Sequence, residues 1–181
     1  MKLENDLGNY KLKILDSGYA KQVLSFYERN KETFNPYESV KPDNFYTIDY
    51  IGLLLNAEMK AFLKGNYLRF YLFAKKDPNY VIASCSFSQI HMGDEKSCNI
   101  GYKVDSAYQC KGIATMLIPE CIKLLLSEKN IHRINSYIMP DNTPSLRVME
   151  KLGWLDEGIA HEYAFLNNTW QDHKHFVFIN H

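Results

Sequence analysis

Tyr108-Gln109-Cys110-Lys111-Gly112-Ile113-Ala114-Thr115 joins two patterns of different period. Before it, Asn99-Ile100-Gly101-Tyr102-Lys103-Val104 alternates as a strand does. After it, Ile113, Met116-Leu117, Cys121 and Leu124-Leu125 recur at helical spacing. A small-residue turn at a strand-to-helix junction presents unpaired backbone N–H groups at a helix N-terminus, where the helix dipole favours an anion. Gly112 lets the backbone approach closely and Ala114 adds almost no bulk. The segment reads as a seat for a pyrophosphate, and a plain tight turn is the competing reading.

Working outward, a strand is expected over 133–138. It is followed by Met139-Pro140-Asp141-Asn142-Thr143-Pro144-Ser145-Leu146-Arg147-Val148-Met149-Glu150-Lys151-Leu152-Gly153-Trp154. The whole run resembles the GNAT superfamily of acyl-CoA-dependent N-acyltransferases. In that superfamily the acetyl-CoA loop reads Gln/Arg-x-x-Gly-x-Gly/Ala, and an Asn-x-x-Ser element ending in Glu-Lys-Leu-Gly-aromatic is a second CoA-contacting segment. Phe26-Tyr27-Glu28-Arg29-Asn30, Phe34-Asn35-Pro36-Tyr37-Glu38, Glu157-Gly158-Ile159-Ala160-His161-Glu162-Tyr163 and Asn167-Asn168-Thr169-Trp170-Gln171-Asp172-His173 are similar to the ribosomal-protein-alanine N-acetyltransferase branch. The likeness covers residues from about 10 to 178.

Composition bounds the alternatives. The 181 residues suit one domain, spanning 1–181, with a substantial core. A 46% hydrophobic and 14% aromatic share argues for a folded protein. Twenty-one basic and twenty-one acidic residues cancel, which disfavours nonspecific nucleic-acid binding. No apolar run is long enough to span a bilayer, and Met1-Lys2-Leu3-Glu4-Asn5-Asp6 lacks a signal-peptide core, so a cytoplasmic location is expected. Cys85, Cys98, Cys110 and Cys121 are widely spaced without Cys-x-x-Cys, so no metal site is expected. A thiol at position 110, beside a helix N-terminus, belongs to the class whose pKa can fall.

The chain shows no repeat, low-complexity tract or dividing linker. The pattern predicts a strand at 11–15, then a helix capped by Asp16 or Ser17 and running to about 29, with Ala20, Val23, Leu24 and Tyr27 on one face. A loop over 35–44 and a helix over 48–64, ended by Gly65-Asn66, come next. Strands follow over 68–75, 81–90 and 97–104, then the helix from 113, in which Pro119 favours a kink. Thr143-Pro144 starts a short helix stopped by Gly153, and strands at 158–166 and 173–179 flank the turn Asn167-Asn168. The class is α/β: a mixed, strongly twisted central sheet with about four helices, of the GNAT acyl-CoA N-acyltransferase type that the resemblance implies.

The resemblance implies acetyl-CoA as cosubstrate. The main chain of 110–115 would hold its pyrophosphate, with Gln109, Cys110, Lys111, Gly112, Ile113, Ala114 and Thr115 as contacts and Lys111 as a nearby cation. Pantetheine would lie along the strand ending Tyr102-Lys103-Val104, pairing with Tyr102 and Val104 as an added strand does. In the superfamily a bulge splays this strand from the 133–138 strand. Backbone N–H near Gly101 would polarise the thioester carbonyl, although a glycine in a strand is also the usual mark of a bulge. Ser145 is the candidate acid for the departing thiolate, and Asn142 would bond the pantetheine. Helix capping is the competing reading of both.

The strand before the loop lacks the glutamate that many GNAT enzymes carry there. Asn99 can order a water but cannot take a proton at neutral pH. Glu162 and Glu38 are the available carboxylates, with ordered water the alternative base. Phe34, Tyr37, Phe45, Tyr46 and Tyr50 read either as packing or as an acceptor groove, with Arg29 and Glu38 as charge selectors. His173 and His175 share a strand face and read as structural. The expected activity is acetyl transfer to a protein N-terminus of the ribosomal alanine type, by a monomer or homodimer. The rivals are a small-amine acetyltransferase and a non-catalytic acyl-CoA sensor.

Overall fold

The computed structural model of the chain describes residues 2–181. Its elements are β1 (Glu4–Leu7), β2 (Tyr10–Lys13), α1 (Ala20–Arg29), α2 (Lys31–Phe34), α3 (Ile48–Leu63), β3 (Leu68–Ala74), β4 (Asp77–His91), β5 (Ser97–Val104), α4 (Ile113–Leu126), β6 (Arg133–Ile138), α5 (Thr143–Lys151), β7 (Leu155–Leu166) and β8 (Thr169–Ile179). The eight strands form one sheet in the order β1-β2-β3-β4-β5-β6-β8-β7. β5 and β6 pair in parallel, and every other neighbouring pair is antiparallel. A mixed sheet was expected. Two elements were not: β1, and the single turn α2, which raises the helix count from about four to five.

The strand period of two sorts side chains between two cores, one on each face. Along β3, Leu68, Phe70 and Leu72 enter a core shared with Leu117, Cys121 and Leu125 of α4 and Met149 of α5. Tyr71 and Phe73 enter the opposite core with Val23 and Phe26 of α1 and Ile51 and Leu55 of α3. Phe70, Leu72, Phe26 and Leu117 are fully buried, and each contributes roughly 1.5–3 kcal/mol by leaving water. Arg69 and Glu58, 2.8 Å apart, clasp α3 to the sheet.

α4 runs unbroken through Pro119. Pro119 lies on the exposed side of the helix, so the carbonyl that loses its partner faces water and the cost is reduced. α1 starts behind a short 3-10 turn that Asp16 caps, its carboxylate accepting from Gly18 N at 2.9 Å. The turn Asn167-Asn168 has both residues at positive φ, 52° and 63°, the conformation a tight hairpin needs.

One break in the sheet positions the site. β5 pairs with β6 only over Ser97↔Arg133, Cys98↔Ile134 and Asn99↔Asn135. Beyond Asn99, β5 continues along β4 to Val104 and β6 continues along β8 to Ile138. The two strands therefore part, leaving a slot between them. The irregularity nearest the parting lies on β4, where the register jumps between Ser88 and His91 and Gln89 has φ 49°. Gly101 itself pairs regularly with Ser86, so the bulge expected on the 97–104 strand sits one strand away.

Candidate active site

A cleft of about 770 Å³ passes through this slot. On the α4–α5 face it is lined by Tyr108, Gln109, Cys110, Gly112, Ile113, Ala114, Thr115, Asn142, Ser145, Arg147 and Lys151. On the far face it is lined by Glu32, Phe34, Tyr37, Glu38, Lys103, Tyr137 and His173.

The helix end at its first mouth is built for an anion. Cys110 has φ 56°, and Gly112, the N-cap of α4, has φ 76° and ψ 6°. Two left-handed residues in three turn the chain sharply into the helix, and no side chain caps it. The amides of Ile113, Ala114 and Thr115 therefore remain available, at the positive end of a 14-residue helix. At α5, by contrast, the Asn142 side chain accepts from Ser145 N at 3.3 Å. Asn142 is thus a cap, as the plainer reading had it, while both it and Ser145 line the cleft.

The slot edge follows from register. Asp105 N donates to Ile82 O at 2.8 Å. Alternation along an antiparallel ladder then assigns Lys103, Gly101 and Asn99 to the pairs bonded to β4. Ile100, Tyr102 and Val104 turn their main-chain groups the other way, toward the parted β6. This agrees with Asn135 Nδ2 reaching Cys98 O, on the same side, at 3.3 Å. Tyr102 and Val104 therefore offer an unpaired strand edge, as expected. The N–H of Gly101 faces β4, so an oxyanion donor from this strand must come from Ile100 or Tyr102 instead. The Tyr102 hydroxyl donates to Ser145 O at 3.3 Å, and burial pushes its phenol up to about 12.

Other expected residues fall elsewhere. Lys111 turns back, Nζ donating to Ala107 O at 2.8 Å, and does not line the cleft. Asn99 is occupied by Gln89, Nδ2 to Oε1 2.7 Å, and lies outside the cleft. Glu162 is exposed, in the middle of β7 rather than near a strand start, with its amide held by Asp172 Oδ1 at 2.8 Å. It too lies outside the cleft, whereas Asn99 is the last residue of β5 paired with β6 before the slot opens. Arg29 is committed to Asp105, Nη2 to Oδ2 3.1 Å, and does not line the cleft. Asp105 is 1% exposed and also accepts from Asn30, Tyr80 and Ala107 N, so this network anchors the start of the loop that leads to α4.

On the far face Phe34 and Phe45 are 7% and 5% exposed. Phe45 packs on Tyr27, Tyr46 and Tyr50 with centroids 5.0–5.3 Å apart. Most of the aromatic cluster is thus core, and only Phe34 and Tyr37 reach the cleft. Glu38 forms ion pairs with Lys103 and with Lys41, the latter at 2.9 Å. Burial pushes its carboxyl up, but the two ammonium groups outweigh that and hold it below the ordinary range.

His175 is structural, its Nε2 3.0 Å from Asn135 Oδ1 and its ring stacked on Tyr137 at 4.4 Å. His173 is not so confined, because it lines the cleft. Arg147, Lys151, Glu32, Tyr137 and His173 are among the cleft residues whose placement sequence reasoning missed. Spacing along α5 puts Arg147 and Lys151 on one helical face, the one signal that was available.

The chain matches the model of the acetyltransferase (GNAT) domain over residues 24–154. It is 29% identical over 161 residues to the probable N-acetyltransferase YjcK of Bacillus subtilis (strain 168), covering 89% of this chain and 88% of that one. It is 26% identical over 154 residues to the [ribosomal protein uS5]-alanine N-acetyltransferase of Escherichia coli (strain K12), covering 85% and 79%. The crystal structure of the ribosomal-protein-S5-alanine acetyltransferase from Vibrio fischeri superposes with a TM-score of 0.92 at 26% identity, covering 99% of this chain and 97% of that one. An uncapped helix N-terminus, a parted strand pair and this match agree, and the chain belongs to the acetyltransferase (GNAT) domain family of acetyl-CoA-dependent N-acetyltransferases.

Proposed function

We propose that the chain transfers acetyl from acetyl-CoA to the α-amine of a protein N-terminus, of the kind its ribosomal-protein-alanine relatives acetylate. The observation that carries this reading is the far mouth of the cleft. Of the aromatic residues that could have folded over a small amine as a lid, Phe45, Tyr46 and Tyr50 pack away from the cleft, and Phe34, which lines it, is itself buried. What remains along the mouth is Glu32, Pro36, Tyr37, Glu38 and Tyr137, a wall of mixed polarity suited to a chain end entering from outside.

In this reading the pyrophosphate rests on the amides of residues 113–115, with Arg147 and Lys151 supplying positive charge from α5. The pantetheine runs along the unpaired edge of Ile100, Tyr102 and Val104. That path sets the thioester in the slot, open to an amine from the far face. The Ile100 or Tyr102 N–H polarises the carbonyl, and Ser145 donates toward the departing sulfur. A neutral amine attacks the thioester carbon directly in a ternary complex, so the acceptor ammonium must lose a proton before it attacks.

The test compares kcat/KM for alanyl peptides of increasing length with that for a panel of small amines. A rise with peptide length supports the chain-end reading. A small amine that outruns every peptide refutes it and transfers the site to small-amine acetylation.

A further inference from the structure

The mechanism still needs a base, and the residues expected to supply it do not line the cleft. Of the cleft-lining carboxylates, Glu38 is tied to Lys103 and Lys41, and Glu32 is exposed at the rim. His173 differs from both. It is only 6% exposed, on β8, and lines the slot beside Tyr137. The pairing Ile138↔Lys174 places it opposite Met139, just past the end of β6, which is the strand wall of the slot. Its Nδ1 lies 3.1 Å from Gln171 O. A carbonyl oxygen only accepts, so this bond fixes the hydrogen on Nδ1 and leaves the lone pair of the neutral ring on Nε2. Nε2 has no protein partner among the described residues. Tyr163 on β7 holds the ring plane, centroids 5.1 Å apart.

We propose that His173 is the general base of the acetyl transfer, accepting the acceptor ammonium's first proton on Nε2. This rests on the acetyl-transfer reading above and deepens it. The incoming R–NH3⁺ gives one proton to Nε2. The amine nitrogen then bonds the thioester carbon while the carbonyl π pair moves to oxygen. As that pair returns, the C–S bond breaks, and the second amine proton ends on sulfur, leaving the amide and free thiol. The imidazolium passes its proton to water, so each turnover releases one proton.

The ionisable groups around the ring are Tyr163 on β7, Tyr137 on β6, and Asp172 and His175 on its own strand. Glu38 and Lys103 lie on the same cleft. None of these offers an unpartnered basic nitrogen, and the Asp172 carboxylate already accepts from Glu162 N and lies 3.0 Å from His161 Nδ1. Tyr163 and Tyr137 are phenols, Lys103 is an ammonium paired with Glu38, and His175 is bonded to Asn135.

The experiment follows thiol release from acetyl-CoA on whichever amine, alanyl peptide or small amine, the wild-type chain acetylates. The variants are His173→Gln and His173→Asn, the second retaining an N–H able to reach Gln171 O. The identity of the amine tests the acceptor reading, and the ratio of variant to wild-type rate tests the base. The expected result is a fall in kcat of roughly 10²-fold at neutral pH, with acetyl-CoA affinity unchanged. The deficit should shrink as pH rises and free amine becomes abundant without help. Near-wild-type kcat in either folded variant overturns the assignment, and so does a deficit of equal size at every pH.

Discussion

Replacing Gly112 separates two properties of the anion seat, its backbone shape and its charge. Gly112 sits at φ 76° with its nearest prospective Cβ neighbour, Thr115 Oγ1, at 3.8 Å. That is ordinary contact, so Gly112→Ala meets no clash and is penalised by the left-handed backbone alone, about 1–2 kcal/mol. For a chain of this length each kcal/mol lowers Tm by about 2–4 °C, so a fall of roughly 2–8 °C is expected. Gly112→Glu carries the same backbone cost and adds a carboxylate beside the phosphates. One pair of unit charges about 4 Å apart repels by about 1 kcal/mol in water and about 4 kcal/mol near a protein surface. At 1.4 kcal/mol per tenfold, this weakens acetyl-CoA binding by between about fivefold and about a thousandfold beyond the alanine variant. Calorimetric titration of both variants with acetyl-CoA reads the gap, which should narrow as salt rises. Equal affinities for Gly112→Ala and Gly112→Glu would refute the placement of phosphate at this helix end.

Three further outcomes follow from the geometry. Ser145→Ala should lower kcat while leaving acetyl-CoA affinity nearly intact, and single-turnover kinetics with full rate would reassign Ser145 to the α5 terminus alone. Asp105→Ala strands the Arg29 guanidinium, and because Arg29 is 30% exposed at its side chain the cost should lie at the low end for a broken buried pair, about 3 kcal/mol. Thermal melting should show Tm lower by roughly 6–12 °C, together with weaker acetyl-CoA binding as the loop loses its anchor. The Glu38 carboxyl is held below its ordinary value by Lys103 and Lys41 against the opposing effect of burial. Its ion pairs therefore stabilise the fold above the unfolded-state pKa of about 4.3, and that stability is lost as pH falls through the lower folded-state value. The Tm gap between wild type and Lys103→Met should hold near neutral pH and close in acid, and a gap independent of pH would remove the ion pair from the account.

Most of the fold was legible because its signals were local. β5 and β6 fall where alternation put them, 97–104 and 133–138, and α1 and α4 turn inward the faces that helical spacing assigned. β1 was missed because Glu4-Asn5-Asp6-Leu7 is four residues with one large apolar side chain. Its strand character comes from pairing with β2 rather than from pattern. α2 was hidden by Asn35-Pro36 directly after it, which reads as a breaker and here closes a single turn. Of the cleft lining, Gln109, Cys110 and residues 112–115 were readable because a turn and a helix start are contiguous in sequence, while Lys111 turns back out of it. Ser145 and Asn142 were readable for the same reason. His173 was not, since a histidine two residues from another on a strand has no mark that separates a stacked ring from one at a cleft. Only the parting of β5 from β6, and the register of β8 against Met139, distinguishes His173 from His175. Asn99 and Glu162 carry no local mark of their surroundings, and tertiary structure leaves both outside the cleft.

A crystal structure of the chain with coenzyme A tests the central claim most directly. The expected result is pyrophosphate oxygens within hydrogen-bond distance of the Ile113, Ala114 and Thr115 amides. It also has the pantetheine amides paired with the edge of Ile100, Tyr102 and Val104, and the thiol in the slot between β5 and β6. A cofactor bound anywhere else, or one whose thiol points away from the slot, would contradict it.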